Sequence, residues 1–181
     1  MNARPGAALL MLLLAACLSP GPEPPPVRWF DPIPDLKTAA PATGKSVRLA
    51  RVTAAAWMDR RFALRVGDRE FTFDDRHRWI AEPQVLVIQA LEQALFGSGA
   101  FTRAEGPGAV EIEVHVTDFA LDLRAAPAAD CALQALLPGG AVATFRGHGT
   151  AADRSPAELA KAMADALLQA VLALRAQLVA P

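Results

Sequence analysis

The spacing of apolar residues predicts an α/β (α+β) fold. It should be a central, mostly antiparallel or mixed sheet packed by two main helices in a single domain. Three observations carry this. Short runs near 47–52, 62–73 and 110–123 alternate apolar and polar residues, the period of a half-buried strand. Two longer runs, opening at Glu82-Pro83 and Ser155-Pro156, repeat every three or four residues, the period of a helix face. The order is strands, helix, strands, helix, and such a sheet buries its apolar side under the helices.

The first element is Val27-Arg28-Trp29-Phe30-Asp31. Two adjacent large aromatics are out of place in a solvated tether, so this piece should dock as a short edge strand. Pro32, Pro34, Pro41 and the small residues to Gly44 read as a loop. From Ser46, Val47, Leu49 and Arg51 alternate with Arg48 and Ala50, and Val52 closes the run. Phe62, Leu64 and Val66, then Phe71 and Phe73, flank Gly67-Asp68, which predicts a hairpin with a tight turn. Its expected apolar side is Phe62, Leu64, Phe71 and Phe73.

Proline suits the first helical turn, so Pro83 starts a helix with Val85, Ile88, Leu91 and Leu95 on one face and Gly97 as its left-handed stop. Val110, Ile112, Val114 and Val116 alternate with Glu111, Glu113, His115 and Thr117, a strand with one buried and one wet face. Residues 130–137 and 141–150 form a second hairpin about Pro138-Gly139-Gly140. Ser155-Pro156-Ala157-Glu158 is a capping box: Ser155 accepts from the Glu158 amide, and the Glu158 side chain reaches back to the Ser155 amide. The helix behind it carries Leu159, Met163, Ala166, Ala170, Leu174 and Leu178 on one stripe, widened by Leu167 and Val171. Its many alanines should let it approach the sheet closely.

The chain starts differently from the way it continues. Arg4 precedes an unbroken apolar run from Ala7 to Leu14, then Leu14-Ala15-Ala16-Cys17 and a proline-rich stretch. Charged start, short apolar core and small residues before a break are the layout of a secretory signal. The run is too short for a permanent span, which needs roughly 20 apolar residues. Leu-Ala-Ala-Cys resembles the bacterial lipobox, in which a peptidase cuts before a diacylated cysteine. Residues 1–16 are then a lipoprotein signal peptide, 17–45 the lipidated Cys17 and a Pro-rich tether, and 46–181 the domain, with its docked edge segment from 28. The resemblance implies three acyl chains on Cys17 and stable anchoring, where one chain would bind only marginally. Leu18, in place of aspartate, implies passage to the outer membrane. The alternative is an ordinary signal peptide with an incidental cysteine. No further apolar stretch is expected to cross a membrane.

Composition narrows the rest. The net charge of -1, without a basic stripe, points away from nucleic acid. Of two cysteines, Cys17 carries lipid in this reading, so Cys131 has no partner within the chain. It reads as a small buried hydrophobe rather than a reactive thiol. His77, His115 and His148 show no ligand spacing, and a zinc site on His115 and His148 would need another cysteine or carboxylate. No metal and no cofactor beyond the covalent lipid is expected. Ser46, Ser98 and Ser155 lack a nucleophile elbow, and Gly97-Ser98-Gly99 follows a helix instead of preceding one. The chain is therefore not expected to be an enzyme.

One stretch concentrates charge and aromatic surface: Asp74-Asp75-Arg76-His77-Arg78-Trp79-Ile80-Ala81-Glu82-Pro83. Arg76, His77, Arg78 and Trp79 form a candidate partner surface, since tryptophan and arginine are enriched at interface hot spots. The competing reading has Trp79 capping the core beside Pro83. If so, the partner site moves to the wet strand face of Glu111, Glu113 and His115.

The same stretch, with Arg65-Val66-Gly67-Asp68-Arg69-Glu70 before it, Trp29-Phe30-Asp31 near the start and the alanine-rich last helix, resembles the ABC-type transport auxiliary lipoprotein family (PqiC-like). The likeness runs from Arg28 to Leu178. Trp29 stands where the family usually has tyrosine, and this chain has no tyrosine. The resemblance implies an accessory component of an MCE/ABC-type envelope lipid-transport system on the periplasmic face of the outer membrane. Its partners would be the membrane, through the lipid anchor, and an MCE-domain protein. Phospholipid and homo-oligomer formation stay open. The alternatives are a structural or assembly-factor envelope lipoprotein and, further off, a lipid-anchored enzyme.

Overall fold

The computed structural model describes residues 24–36, 41–104, 106 and 108–180. The expected signal peptide, Cys17 and the tether up to residue 23 lie outside the described residues. The elements in order are β1 (Arg28–Phe30), β2 (Ser46–Ala54), β3 (Arg61–Arg65), β4 (Phe71–Trp79), α1 (Pro83–Glu92), β5 (Thr102–Arg103), β6 (Val110–Asp122), β7 (Ala128–Leu136), β8 (Val142–Thr150) and α2 (Pro156–Val179).

β6 is the axis of one open mixed sheet. β7 lies antiparallel along one side of it, and β8 antiparallel beyond β7. The other side of β6 is shared. β2 pairs parallel with its first half, Val47 opposite Val110 to Ala54 opposite Val116. β3 pairs parallel with its end, Leu64 opposite Leu121. Residues 55–60 swing out between them, so the sheet forks there. β5 flanks β2, β4 flanks β3, and β1 pairs parallel with β4. The aromatic segment thus docks as an edge strand, and Pro32 and Pro34 behind it are buried as well.

Both helices cover one face. α1 has proline in its first turn and runs into a π-helical turn over Gln93–Gly97, where the Ser98 amide bonds the Gln93 carbonyl. Gly99, not Gly97, takes the left-handed conformation, with φ +75°. The extra π-turn residue moves the stop two positions on. At α2, Ser155 Oγ accepts from the Glu158 amide at 3.4 Å, but Asp153, not Glu158, bonds the Ser155 amide, at 2.7 Å. Only half of the expected capping box forms, because a nearer carboxylate takes the other donor. Lys45 Nζ closes the far end of α2 by donating to the carbonyls of Leu178 and Ala180.

α2 lies on β7 and β8 almost backbone to backbone. A Cβ on Gly147 would fall inside the carbonyl of Ala166, and one on Gly149 inside that of Ala162. The alanine-rich sequence is what allows this. By length and composition α2 could also span a membrane, contrary to the expectation that no further stretch would. Here Leu159, Met163, Leu167, Val171 and Leu174 are buried against the sheet instead, each burial worth about 1.5–3 kcal/mol. Cys131 is buried in the same layer.

Three bulges reset the alternation. In β2 the register shifts at Ala50, so Arg51 lands opposite Glu113 on the uncovered face although it continues the phase of Val47 and Leu49. In β6 it shifts at Thr117: Ile112, Val114 and Val116 face the helices before it, Phe119 and Leu121 after it. In β4 it shifts over residues 75–77. The β3–β4 hairpin forms, but its apolar side is not the expected one. Ala63 pairs with Phe73 and Arg65 with Phe71, so both phenylalanines share the uncovered face with Arg65, while Phe62 enters the core.

Candidate functional site

The uncovered face holds the polar and aromatic groups. Beyond its bulge, β6 turns Asp118 and Asp122 to this face, and β7 adds Asp130. Arg65 of β3 reaches all three: its guanidinium donates to Asp118 Oδ2 at 2.5 Å and Asp130 Oδ2 at 2.8 Å, with Asp122 at 3.8 Å. The network extends outward. Arg124 bonds Asp122 at 2.5 Å and Asp68 at 2.9 Å, and His148 Nδ1 lies 2.9 Å from Asp130.

Environment sets the acidities. The Arg124 side chain holds Asp122 down at about 2. Burial pushes Asp118 up in spite of Arg65, and the neighbouring charge of Asp130 adds to the push. Asp118 Oδ1 is buried and has no hydrogen-bond partner among the described residues. Burial works against the Arg65 charge, but the bonds from Asp118 and Asp130 outweigh it. Burial also raises the Cys131 thiol far above its usual range, which leaves it a poor nucleophile.

Two clefts meet at Arg65 and Asp118. One, of about 330 Å³, is polar and reaches Asp130, Arg146, His148 and Gln169. The other, of about 510 Å³, is walled by Trp57, Phe71 and Phe73, with Thr117 at its base. It opens at the fork of the sheet, because the 55–60 excursion carries Trp57 across to Phe71, ring centres 5.2 Å apart. Arg61 lies over Phe73 at 4.6 Å and Arg65 over Phe71 at 5.2 Å. This arrangement offers aromatic walls over a charged floor, a surface for binding.

The expected partner surface separates into parts. Arg76 is exposed, and His77 and Arg78 are half-buried. Trp79 is only 1% exposed, stacked on Phe62 at 4.1 Å and edge-on to Phe119 at 5.5 Å. It is a core residue, because the β4 bulge puts it in phase with the helix-covered face. Asp74 holds that bulge by accepting from the amides of Arg76 and His77 and bonding His77 Nδ1 at 2.6 Å. Burial opposes the Asp74 charge, yet these bonds keep its pKa below the usual carboxylate range.

The histidines go separate ways. His77 pairs with Asp74, His148 with Asp130, and His115 with the Thr53 hydroxyl at 2.8 Å. Among the described residues no group of three or more histidines, cysteines and carboxylates is placed to hold a metal ion. Glu111 pairs with Arg48 across β2 and β6. The Arg65 network and the Trp57 cleft were missed from the sequence. Their one visible signal was the apolar phase of Phe71 and Phe73, assigned to the wrong face.

No family model and no curated protein matches the chain. Solved structures do. A Xanthomonas campestris protein, whose crystal structure carries the family-model description DUF330, superposes with a TM-score of 0.70 at 22% identity, over 84% of this chain and 95% of its own. The crystal structure of an uncharacterized protein gives 0.67 at 12% identity, over 85% of this chain and 99% of that one. The chain thus has the fold seen in a DUF330 protein.

Proposed function

We propose that the chain is an outer-membrane-anchored periplasmic lipoprotein and a non-catalytic accessory component of an MCE/ABC-type envelope lipid-transport system. The lipobox-like Leu14-Ala15-Ala16-Cys17 supplies the anchor in this reading. The shared fold supports the PqiC-like family, which is DUF330. The observation that carries the reading is the uncovered sheet face. A domain strapped to its own tether through β1 presents an aromatic cleft of about 510 Å³ above a charged floor. Such a cleft suits the capture of an apolar side chain or acyl group, since large aromatics bring contact area at low entropic cost.

The test is retention of a purified MCE-domain protein from the same organism by the full lipidated protein. Wild type should retain it. Phe71→Ser should weaken retention about tenfold, the scale of losing one interface anchor, while melting within about 3 °C of wild type. If wild type retains nothing, the transport role falls and the structural or assembly-factor reading takes its place.

A further inference from the structure

The sheet edge nearest the tether carries a second patch, separate from the aromatic cleft. β1 pairs with β4 so that Phe30 stands opposite Trp79 and Trp29 opposite Arg78. The alternation turns Phe30 and Trp79 toward the core. It leaves Val27, Trp29 and Ile80 toward solvent, at 41, 50 and 45% exposure. The Ile80 amide donates to the Phe30 carbonyl, which keeps Ile80 beside the end of β1.

Charges of both signs surround this apolar centre. Arg76 is exposed beside it, and Arg78 stands opposite Trp29 on the same face. Arg28 turns to the other face with Phe30, its guanidinium 5.3 Å over that ring. Asp31, Asp75 and Glu82 are exposed nearby. The patch is therefore apolar at its centre and mixed in charge at its rim.

The chain before it says what would cover it. Nine residues, 18–26, separate Cys17 from Val27, five of them proline. At roughly 3.1 Å per residue a polyproline run of that length spans about 28 Å, so this edge is the part of the domain held closest to the anchor. Tryptophan favours the headgroup level of a bilayer. We propose that Val27, Trp29 and Ile80 dock at the headgroup level of the membrane that holds Cys17. The proposal rests on the lipidation of Cys17. Docking fixes the orientation of the domain above the membrane, which the lipid alone leaves free.

The test uses the full lipidated chain in vesicles of phosphatidylethanolamine with a quarter phosphatidylglycerol, carrying lipids brominated near the headgroup. Tryptophan emission is compared between wild type and Trp29→Phe. Trp57 and Trp79 are present in both proteins, so the difference reports Trp29. Bromolipid quenching of wild type should exceed that of Trp29→Phe by about twofold, and Val27→Asp with Ile80→Asp should abolish the excess. Equal quenching of wild type and Trp29→Phe on an acylated chain overturns the docking and leaves the anchor standing. Mass spectrometry of the same preparation reads the acyl groups, and a chain without them overturns both. Unchanged quenching with weakened retention of the MCE-domain protein in Trp29→Phe assigns the patch to a protein and overturns the lipid surface.

Discussion

The two faces of the sheet are built by opposite rules. The covered face is closed by the smallest side chains, with Gly147 and Gly149 against the backbone of Ala166 and Ala162. The uncovered face is held by long charged groups and half-exposed aromatics: Arg65 among three aspartates, Trp57 on Phe71. On the first, an added methyl has nowhere to go. On the second, the outer side chains are screened by solvent and can rearrange, so apart from the part-buried Arg65 cluster their individual contributions to stability are small. Stability and recognition are therefore expected to divide by face.

The largest effect should come from the tightest contact. Gly149→Ala drives a methyl into the Ala162 carbonyl and should cost about 3 kcal/mol or more. Melting should fall by about 6–12 °C. Thr150→Val, one position on and facing the other way, should stay within about 0.5 kcal/mol. Equal melting of the two variants would break the comparison.

A middle-sized effect is expected at the charged floor. Arg65→Ala leaves Asp118 and Asp130 without their counter-ion and should cost about 1–3 kcal/mol, below the figure for a fully buried pair because the site is partly wet. The pH dependence has two opposed parts. Asp122 has its folded pKa lowered from 3.8 to about 2, so its stabilisation is complete above the unfolded value and is lost as pH falls through about 2. Asp118 is raised, so the folded protein takes that proton first, and the cost of its charge is relieved as pH falls through the raised value. Urea melts across the acid range should show Asp122→Asn flattening the loss below pH 4 and Asp118→Asn removing the gain above it.

The smallest effect should be at the exposed rim. Arg76→Ala ought to melt within about 0.5 kcal/mol of wild type. It should also retain the MCE-domain protein fully if that partner uses the Trp57 cleft. Lost retention in this variant would move the partner site from the cleft to the sheet edge.

What could be read from the chain follows the same division. Helix starts are local, and Pro83 and Ser155-Pro156 stand where the helices begin. Strand alternation is local too, and it located β6 and both hairpins. The bulges were not legible, because nothing in Ala50, Thr117 or residues 75–77 announces an extra residue; only the partner strand defines one. Each bulge inverts the facing of all that follows it. That is why Arg51 came out and Trp79 went in; Phe71 lies before the β4 bulge, and the hairpin register alone sets its facing, opposite Arg65. The Arg65 network joins positions 53 and 65 residues apart along the chain, with no motif to connect them.

The docked β1 segment also has a mechanical consequence. Load arriving from the N-terminal side at Pro24 meets a three-residue edge strand before it meets anything else in the sheet. Phe30 of that strand packs on Phe62, ring centres 5.3 Å apart, and Pro32 and Pro34 are buried behind it. Phe62 in turn stacks on Trp79 at 4.1 Å. A pull at Pro24 is therefore met by the aromatic core as soon as β1 parts from β4.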